Sequence, residues 1–486
     1  MLYRQLFTFA VFSPPNPIRL AVLYIGRLLA RLGLIEPERA RRTTDLAWPR
    51  IVTGLARMSK EAIDVVMIGI ALGTGAIAGV GFAASFWGIV FALGSGVASG
   101  TIALVSRAYG AGGTGGQAVR SSVLLVLALT LPIALLFWSL STELIGLLSD
   151  DPAVVALGGA YLRVLGLGVP FAGLNLIGSR TLVGTDDAWT PMVIRAGGAV
   201  VNVALNAALI FGLDLGVLGA ALGTVLANVV VTATFALGLV RGRVPLIGAF
   251  PITLDPLGSY LDRKTMFRVV RIGTPMIGKN LAWRLGEFPL LAIVDLFGTA
   301  VAAALVIALR VRDLLNTPGW GFGLASSSLV GQQFSVEGEG TAEAYGREVI
   351  RFGVAVYLVS AVLVFAFAEP IALAFVDRAS PSLPIAVTLI YATCIGIVFR
   401  GLSRTSIGPL RASGDTRWPF YGQVLGYGLA IPIAYAGATT RLGLAGLALA
   451  IVIEMLVPAM LNYYRFRTGE WKEIARAYTP SAKPAD

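Results

Sequence analysis

The chain has 486 residues, 56% of them hydrophobic and only 13% charged, with a mean hydropathy of +0.79. Soluble proteins carry about a quarter charged residues, so this chain belongs in a bilayer, and its net charge of +11 reads as membrane topology rather than as affinity for nucleic acid. With no histidine and a single cysteine, Cys394, an internal disulfide, an imidazole metal site and a paired-thiolate site are excluded.

Residues 1–46 open with Pro14, Pro15 and Pro17, then run from Ile18 to Leu34 with Arg19, Arg27 and Arg31 in one sector of a helical wheel. This pattern fits an amphipathic helix on the cytoplasmic leaflet or a solvated extension, and its apolar run is broken too early for a cleavable signal. Residues 47–240 hold six apolar segments, at 47–71, 76–105, 119–141, 154–178, 188–212 and 216–240, each long enough to cross a bilayer. Residues 241–271, with six basic residues, two acidic residues and three prolines, form a cytoplasmic linker. Six more segments occupy 272–464, at 273–296, 298–330, 350–368, 382–400, 418–437 and 442–464, and 465–486 make a cytoplasmic tail. Inner segments hold 27 Lys/Arg, whereas the outer loops hold two, Arg378 and Arg441. The positive-inside rule therefore predicts twelve spans with both termini in the cytoplasm, which suits a multi-pass protein of the cell membrane.

The two halves repeat. Gly73-Thr-Gly-Ala-Ile-Ala matches Gly298-Thr-Ala-Val-Ala-Ala, and Gly94 and Gly96 fall on Gly319 and Gly321. Asp187-Ala-Trp-Thr-Pro191 matches Asp415-Thr-Arg-Trp-Pro419, and Leu215-Gly-Val-Leu-Gly219 matches Leu442-Gly-Leu-Ala-Gly446. Each unit has six spans, so both insert the same way up and the repeat is parallel, about an axis along the membrane normal. A substrate is expected at the interface between the units.

Ionisable groups at membrane depth are functional candidates until they are paired. Arg57, Lys60, Glu61 and Asp64 stand at i, i+3, i+4 and i+7 and share one helical face. The same spacing lets Arg57 close on Glu61 and Lys60 on Asp64 as a neutral structural stripe. The fifth and sixth spans add Asn202, Asn206 and Thr224. The repeat counterparts of Asp64, Asn202, Asn206 and Thr224 are Pro289 or Leu290, Ala430, Ala434 and Ile451, all apolar. The fold therefore does not require polar groups there, and a carboxylate beside amide and hydroxyl oxygens offers a sodium or proton site. Glu61 is the reserve carboxylate. In the second half Lys279, Arg284, Glu287, Asp295, Arg310, Arg312 and Asp313 either neutralise one another or grip substrate, with Glu287 expected to pair with Arg284 or Arg310.

Ala62-Ile-Asp-Val-Val-Met-Ile-Gly69 followed by Ala76-Ile-Ala-Gly-Val-Gly-Phe82, Thr101-Ile-Ala-Leu-Val-Ser-Arg-Ala-Tyr-Gly-Ala111, Thr190-Pro-Met192, Leu209-Ile-Phe-Gly212 and Gly414-Asp-Thr-Arg resemble, in order and spacing, motifs of the multidrug and toxic compound extrusion (MATE) transporters. The resemblance covers residues 45–470. It implies an all-α polytopic fold of twelve transmembrane helices in two six-helix bundles around a central cavity, and ion-driven efflux of organic compounds. It sets Asp64 on the family's first-span carboxylate, Asn202 on a fifth-span asparagine and Thr224 on a sixth-span threonine. Asn206 departs from the pattern, standing where many microbial members have a second carboxylate. Trp283 stands near the seventh-span glutamate of another subclass, with Glu287 one turn later, and Arg57 and Lys60 are not typical of the family.

The leading expectation is thus an antiporter, driven by protons or sodium, that exports small organic compounds by alternating access. Asp64, Asn202, Asn206, Thr224 and Glu61 would couple the ion, with sodium held by the first four. Arg57, Lys60, Trp283, Arg284, Glu287 and Arg310 are the candidates for the substrate cavity. A lipid-linked saccharide flippase is the alternative and requires several unpaired Lys/Arg groups in the cavity. A membrane-embedded enzyme is disfavoured, because histidine, paired cysteines and a phosphate-cradling glycine loop are all missing from the sequence. The expected partners are a small organic substrate and the bilayer, with no nucleic acid, no cofactor besides the coupling ion, and a monomeric state.

Overall fold

A computed structural model describes residues 16–72, 74–149, 151–336 and 338–478. The first 15 residues, the last eight and Asp150 lie outside the described residues, as does the side chain of Asp295. The helices are α1 (Pro17–Arg31), α2 (Pro37–Leu72), α3 (Thr74–Gly110), α4 (Gly116–Gly146), α5 (Pro152–Gly166), α6 (Val169–Gly184), α7 (Trp189–Ala207), α8 (Gly216–Arg241), α9 (Arg263–Asp295), α10 (Thr299–Leu315), α11 (Thr317–Val336), α12 (Glu339–Ala366), α13 (Ala368–Leu373), α14 (Ser382–Ser413), α15 (Arg417–Thr439), α16 (Gly443–Thr468) and α17 (Trp471–Tyr478). They make twelve spans, with α5–α6 and α10–α11 each serving as one broken span. Among the described residues seven helices are long and apolar enough to cross alone, and the α5–α6 pair, bent by 50°, is an eighth. Of the rest, α2, α9 and the α10–α11 pair carry charges, and α15 is diluted by glycine, tyrosine and Gln423.

The breaks have local causes. Pro170 lacks the N–H that would continue α5 into α6. In the second half Pro318 follows Asn316-Thr317, and the Asn316 carbonyl accepts from the Gly319 N–H at 3.2 Å and from the Tyr357 hydroxyl at 3.3 Å. Gly319 makes that approach possible, since a Cβ there would stand 2.0 Å from the same hydroxyl oxygen.

The helices run past the predicted segments, with two consequences. Residues 37–46, expected in the extension, are the first turns of α2. Arg180, Arg400, Arg404 and Arg411, expected at the cytoplasmic edge, lie within α6 and α14. The extension and tail are docked. Gly26 of α1 faces Phe352 of α12, with 2.9 Å from a notional Cβ to the ring. Leu20, Tyr24 and Leu28 along the other face of α1, and Leu32 just past its end, stay exposed. Trp471 of α17 is fully buried, stacked 5.5 Å from Phe466, and donates its indole N–H to the Phe466 carbonyl. The linker holds a two-residue hairpin, β1 (Arg243–Val244) against β2 (Gly248–Ala249), and is seated on the first bundle by Phe250, which fills the space left by Gly238.

Packing divides the molecule into two ends. At the end where α3 and α11 finish, one core joins the halves, including Leu46, Ile102, Val183, Phe322 and Leu329. At the other end the cores are separate: Ile68, Ile145, Leu162 and Ile210 in the first bundle, Leu305, Leu389, Ile397 and Leu447 in the second. The sole described cysteine, Cys394, is buried in the second of these. The joined end rests on two backbone crossings. A Cβ on Gly96 of α3 would stand 2.8 Å from the Gly273 carbonyl oxygen of α9, and one on Gly321 of α11 would stand 2.4 Å from the Ala47 carbonyl oxygen of α2. Gly96 is the repeat counterpart of Gly321, and Ala47 of Gly273, so the crossings are one contact repeated about the pseudo-two-fold axis. Small residues allow this close approach. The result is two six-helix bundles closed at one end and parted at the other.

Candidate functional site

Asp64 lies on α2 where that helix packs against α7. Its Oδ2 accepts from the Lys60 ammonium at 2.6 Å and its Oδ1 accepts from the Asn206 amide at 2.9 Å. The amide of Asn206 also points to Asn202 Oδ1 at 3.4 Å, and the Asn202 amide donates to Thr224 Oγ1 at 3.2 Å. Tyr161 of α5 places its hydroxyl against Thr224 and feels the charge of Asp64. Asn202 and Asn206 are each 1% exposed. The backbone builds this place: α7 ends in a π turn at Ala208–Gly212, the kind of insertion that re-aims a helix end. Gly223 of α8 opens room for the amide, since a Cβ there would stand 2.0 Å from Asn206 Oδ1. That oxygen is buried without a hydrogen-bond partner, which leaves an acceptor free beside a carboxylate.

The expected i,i+4 pairs both form. Lys60–Asp64 is tight, whereas Arg57 stands 3.7 Å from a largely exposed Glu61. Arg57 instead lies 4.7 Å over the Trp320 ring of α11, a contact between the bundles. Glu61 makes no described contact with Asn202, Asn206 or Thr224, so the cluster holds Asp64 and leaves Glu61 outside it.

The oxygens of Asp64, Asn202, Asn206 and Thr224 are hard donors of the kind that sodium takes. Lys60 already occupies Asp64 Oδ2. The polar string continues away from the cluster: the Asn228 amide donates to the Thr224 carbonyl, Asn175 donates to Asn228 Oδ1 at 2.9 Å, and Thr232 donates to Asn175 Oδ1 at 2.8 Å. Nothing in the apolar pattern singled out Tyr161, Asn175 or Asn228.

In the second bundle Glu287 pairs with Arg312 rather than with Arg284 or Arg310. The reason is position: Arg312 is buried on α10, while Arg310, two residues earlier, shares an exposed face with Val306 and Leu314. Arg284 is also exposed and lies over Trp283, 5.5 Å from the ring centre. A second pair had a visible signal, since Glu454 is the one acid in the apolar run 442–464. Its carboxylate receives one Arg400 nitrogen on both oxygens at 2.6 Å, with Gln423 at 3.5 Å, and Glu454 is 2% exposed. The repeat counterparts Ala430 and Ala434 are fully buried in apolar packing. The buried carboxylates of the second bundle thus meet guanidinium groups, where that of the first meets an ammonium and an amide.

The MatE family model matches twice, at residues 49–208 and 275–436, one match in each bundle. Among curated relatives, a protein described as probable multidrug resistance protein YoeA of Bacillus subtilis (strain 168) is 25% identical over 88% of this chain and 94% of its own length. A probable multidrug resistance protein NorM of Bradyrhizobium diazoefficiens is 28% identical over 87% and 92%. Among solved structures, a MOP superfamily transporter from Pyrococcus furiosus, described by the reverse polarity of its binding pocket, superposes with a TM-score of 0.81 at 21% identity, over 89% of this chain and 96% of that one. An outward-facing multidrug resistance MATE family transporter superposes at 0.80 with 22% identity, over 90% and 96%. With its two bundles, its parallel repeat and a family match in each half, the chain belongs to the MatE family of membrane transporters.

Proposed function

We propose that this protein exports small organic solutes by alternating access, coupled to protons at Asp64. The observation that carries this reading is the Asp64–Asn206–Asn202–Thr224 cluster, which has an orphaned acceptor on Asn206 and apolar counterparts in the repeat. Lys60 favours a proton over sodium. An ammonium 2.6 Å from Asp64 Oδ2 opposes a second cation, whereas a proton on the carboxyl replaces the ammonium and frees it. The bundles, parted at one end only, suit a transporter that exposes its cleft to one side at a time. With the termini in the cytoplasm, as the Lys/Arg distribution argues, the parted end faces outward.

The test is transport by purified protein in liposomes, with separate proton and sodium gradients and a panel of organic cations, zwitterions and organic phosphates. A proton gradient should drive transport and a sodium gradient should not. Asp64→Asn should lose gradient-driven transport at least a hundredfold while staying folded. Full transport by that variant would remove Asp64 from the mechanism.

A further inference from the structure

The floor of the cleft carries a chemistry that the Asp64 cluster does not use. Six cations meet there: Arg50 on α2, Arg180 on α6, Arg195 on α7, Lys279 on α9, and Arg404 and Arg411 on α14. They form a continuous series across both bundles. Arg50 lies within electrostatic reach of Arg180 and Arg195, Arg180 of Arg411, and Lys279 of Arg404 and Arg411. Arg50 is three residues beyond Ala47 and Lys279 six beyond Gly273, about 4.5 Å and about 9 Å toward the parted end at 1.5 Å per residue, whereas Arg180 and Arg411 rise from the joined core beside Val183, Leu410 and Ala412.

The neighbouring carboxylates are engaged elsewhere, Glu454 with Arg400, Glu287 with Arg312 and Asp64 with Lys60. Among the described residues none of the six has an acid at salt-bridge distance. Lys279 is 4% and Arg180 8% exposed, and each finds only a neutral neighbour, Asn280 Oδ1 at 3.2 Å and Ser179 Oγ at 3.4 Å. Arg50 Nε, Arg195 Nη1, Arg411 Nε and the indole Nε1 of Trp283 are buried without partners, and all four are donors. Lys279 and Arg404 border a small recess together with Ser403, Gln423 and the Arg400–Glu454 pair. Aromatic rings flank the charges: Trp283 is 5.9 Å from Arg404, and Trp320 is 5.9 Å from Arg50.

Like charges gathered in a low-dielectric space, with their donors vacant, raise the free energy of the site until an acceptor-rich anion enters. Guanidinium groups match phosphate oxygens in charge and in fork geometry. Aromatic walls suit an apolar body attached to the anion. An organic cation would meet repulsion from these six charges.

We propose that the cleft floor is the substrate site and that it takes an organic anion bearing a phosphate or pyrophosphate group; this rests on the cleft being the export path. The anion is held by Arg404, Arg411 and Lys279 from one bundle and by Arg50, Arg180 and Arg195 from the other, so its arrival favours closure of both bundles upon it.

The test measures equilibrium binding to the full chain in detergent without any ion gradient. Isothermal titration would use geranyl pyrophosphate, inorganic pyrophosphate and tetraphenylphosphonium. Geranyl pyrophosphate should bind, more weakly as sodium chloride rises, and tetraphenylphosphonium should neither bind nor compete. Arg404→Gln and Arg411→Gln should each weaken binding tenfold or more. Without ligand these variants should melt at the same temperature as the parent or higher, because a repelling charge is gone, whereas a purely structural role would lower it. Inorganic pyrophosphate binding as tightly as geranyl pyrophosphate would assign the site to a free phosphate; a hundredfold preference for the prenylated form would assign it to a lipid-linked headgroup. Binding of tetraphenylphosphonium with none of either pyrophosphate, or affinities unchanged in both variants, would overturn the proposal. The binding assay applies no ion gradient, so loss of proton-driven transport in Asp64→Asn reports the coupling mechanism, loss of geranyl pyrophosphate binding by the parent reports the anion site, and the two failures give different results.

Discussion

The two bundles share one backbone plan and differ in how they treat buried polarity. In the second, Arg400–Glu454 and Arg312–Glu287 are ion pairs in which each carboxylate meets a guanidinium, with Arg400 Nε the one donor of the first pair left buried without a partner. In the first, Asp64 is shared between an ammonium and an amide, and the amide's own oxygen has no partner. A duplicated scaffold therefore tolerates either solution. The difference teaches that closed pairs fix helices to one another, whereas a partly satisfied cluster can exchange one partner for an incoming ion. Desolvation makes the first arrangement costly to break and the second easy to alter.

This contrast can be broken most severely in the second bundle. Glu454→Gln leaves Arg400 buried beside a neutral amide and should destabilise by about 3–5 kcal/mol, while Glu454→Leu combined with Arg400→Met should cost less. Thermal unfolding in detergent reads both, and equal losses would show that the pair is not the source. Ala434→Asn copies the first bundle's Asn206 into the second, where no carboxylate waits for it. Overpacking plus an unsatisfied amide should cost about 2–4 kcal/mol, and a neutral result would mean the second bundle could host the cluster after all. The mildest change sharpens the comparison from the other side. Gly223→Ala should push the Asn206 amide off Asp64 for about 1–2 kcal/mol, with a larger effect on proton-driven transport than on melting temperature. Parallel loss of the two would assign Gly223 to packing alone.

The sequence carried much of this. Twelve spans, the parallel repeat and the pairing of Lys60 with Asp64 follow from apolar run length, internal similarity and i,i+4 spacing, which are local or periodic signals. The repeat also marked Asn202, Asn206 and Thr224, because their counterparts are apolar, and the structure brings these three to Asp64. The partner of Glu287 was not legible: choosing Arg312 over Arg310 depends on which face of α10 turns inward, and a broken helix resets that phase. Arg404 and Arg411 were hidden for another reason. Hydropathy ends a span at the first cations it meets, so helix continuing past Arg400 reads as cytoplasmic loop, and residues that line the cleft floor look like topology signals. Tyr161 and the Asn175–Asn228 pair depend on contacts between distant helices, which one sequence does not record.

The burial of Cys394, at 4% exposure, makes the chain a nearly blank background for spectroscopy. A thiol shielded in the second bundle's core reacts slowly with a nitroxide reagent, so reporters can be introduced without first removing it. Ile70 on α2 and Val306 on α10 are 74% and 48% exposed on opposite bundles near the parted end. Spin labels at Ile70→Cys and Val306→Cys would turn the opening between the halves into a distance distribution, resolved into populations as protons or an organic phosphate are added.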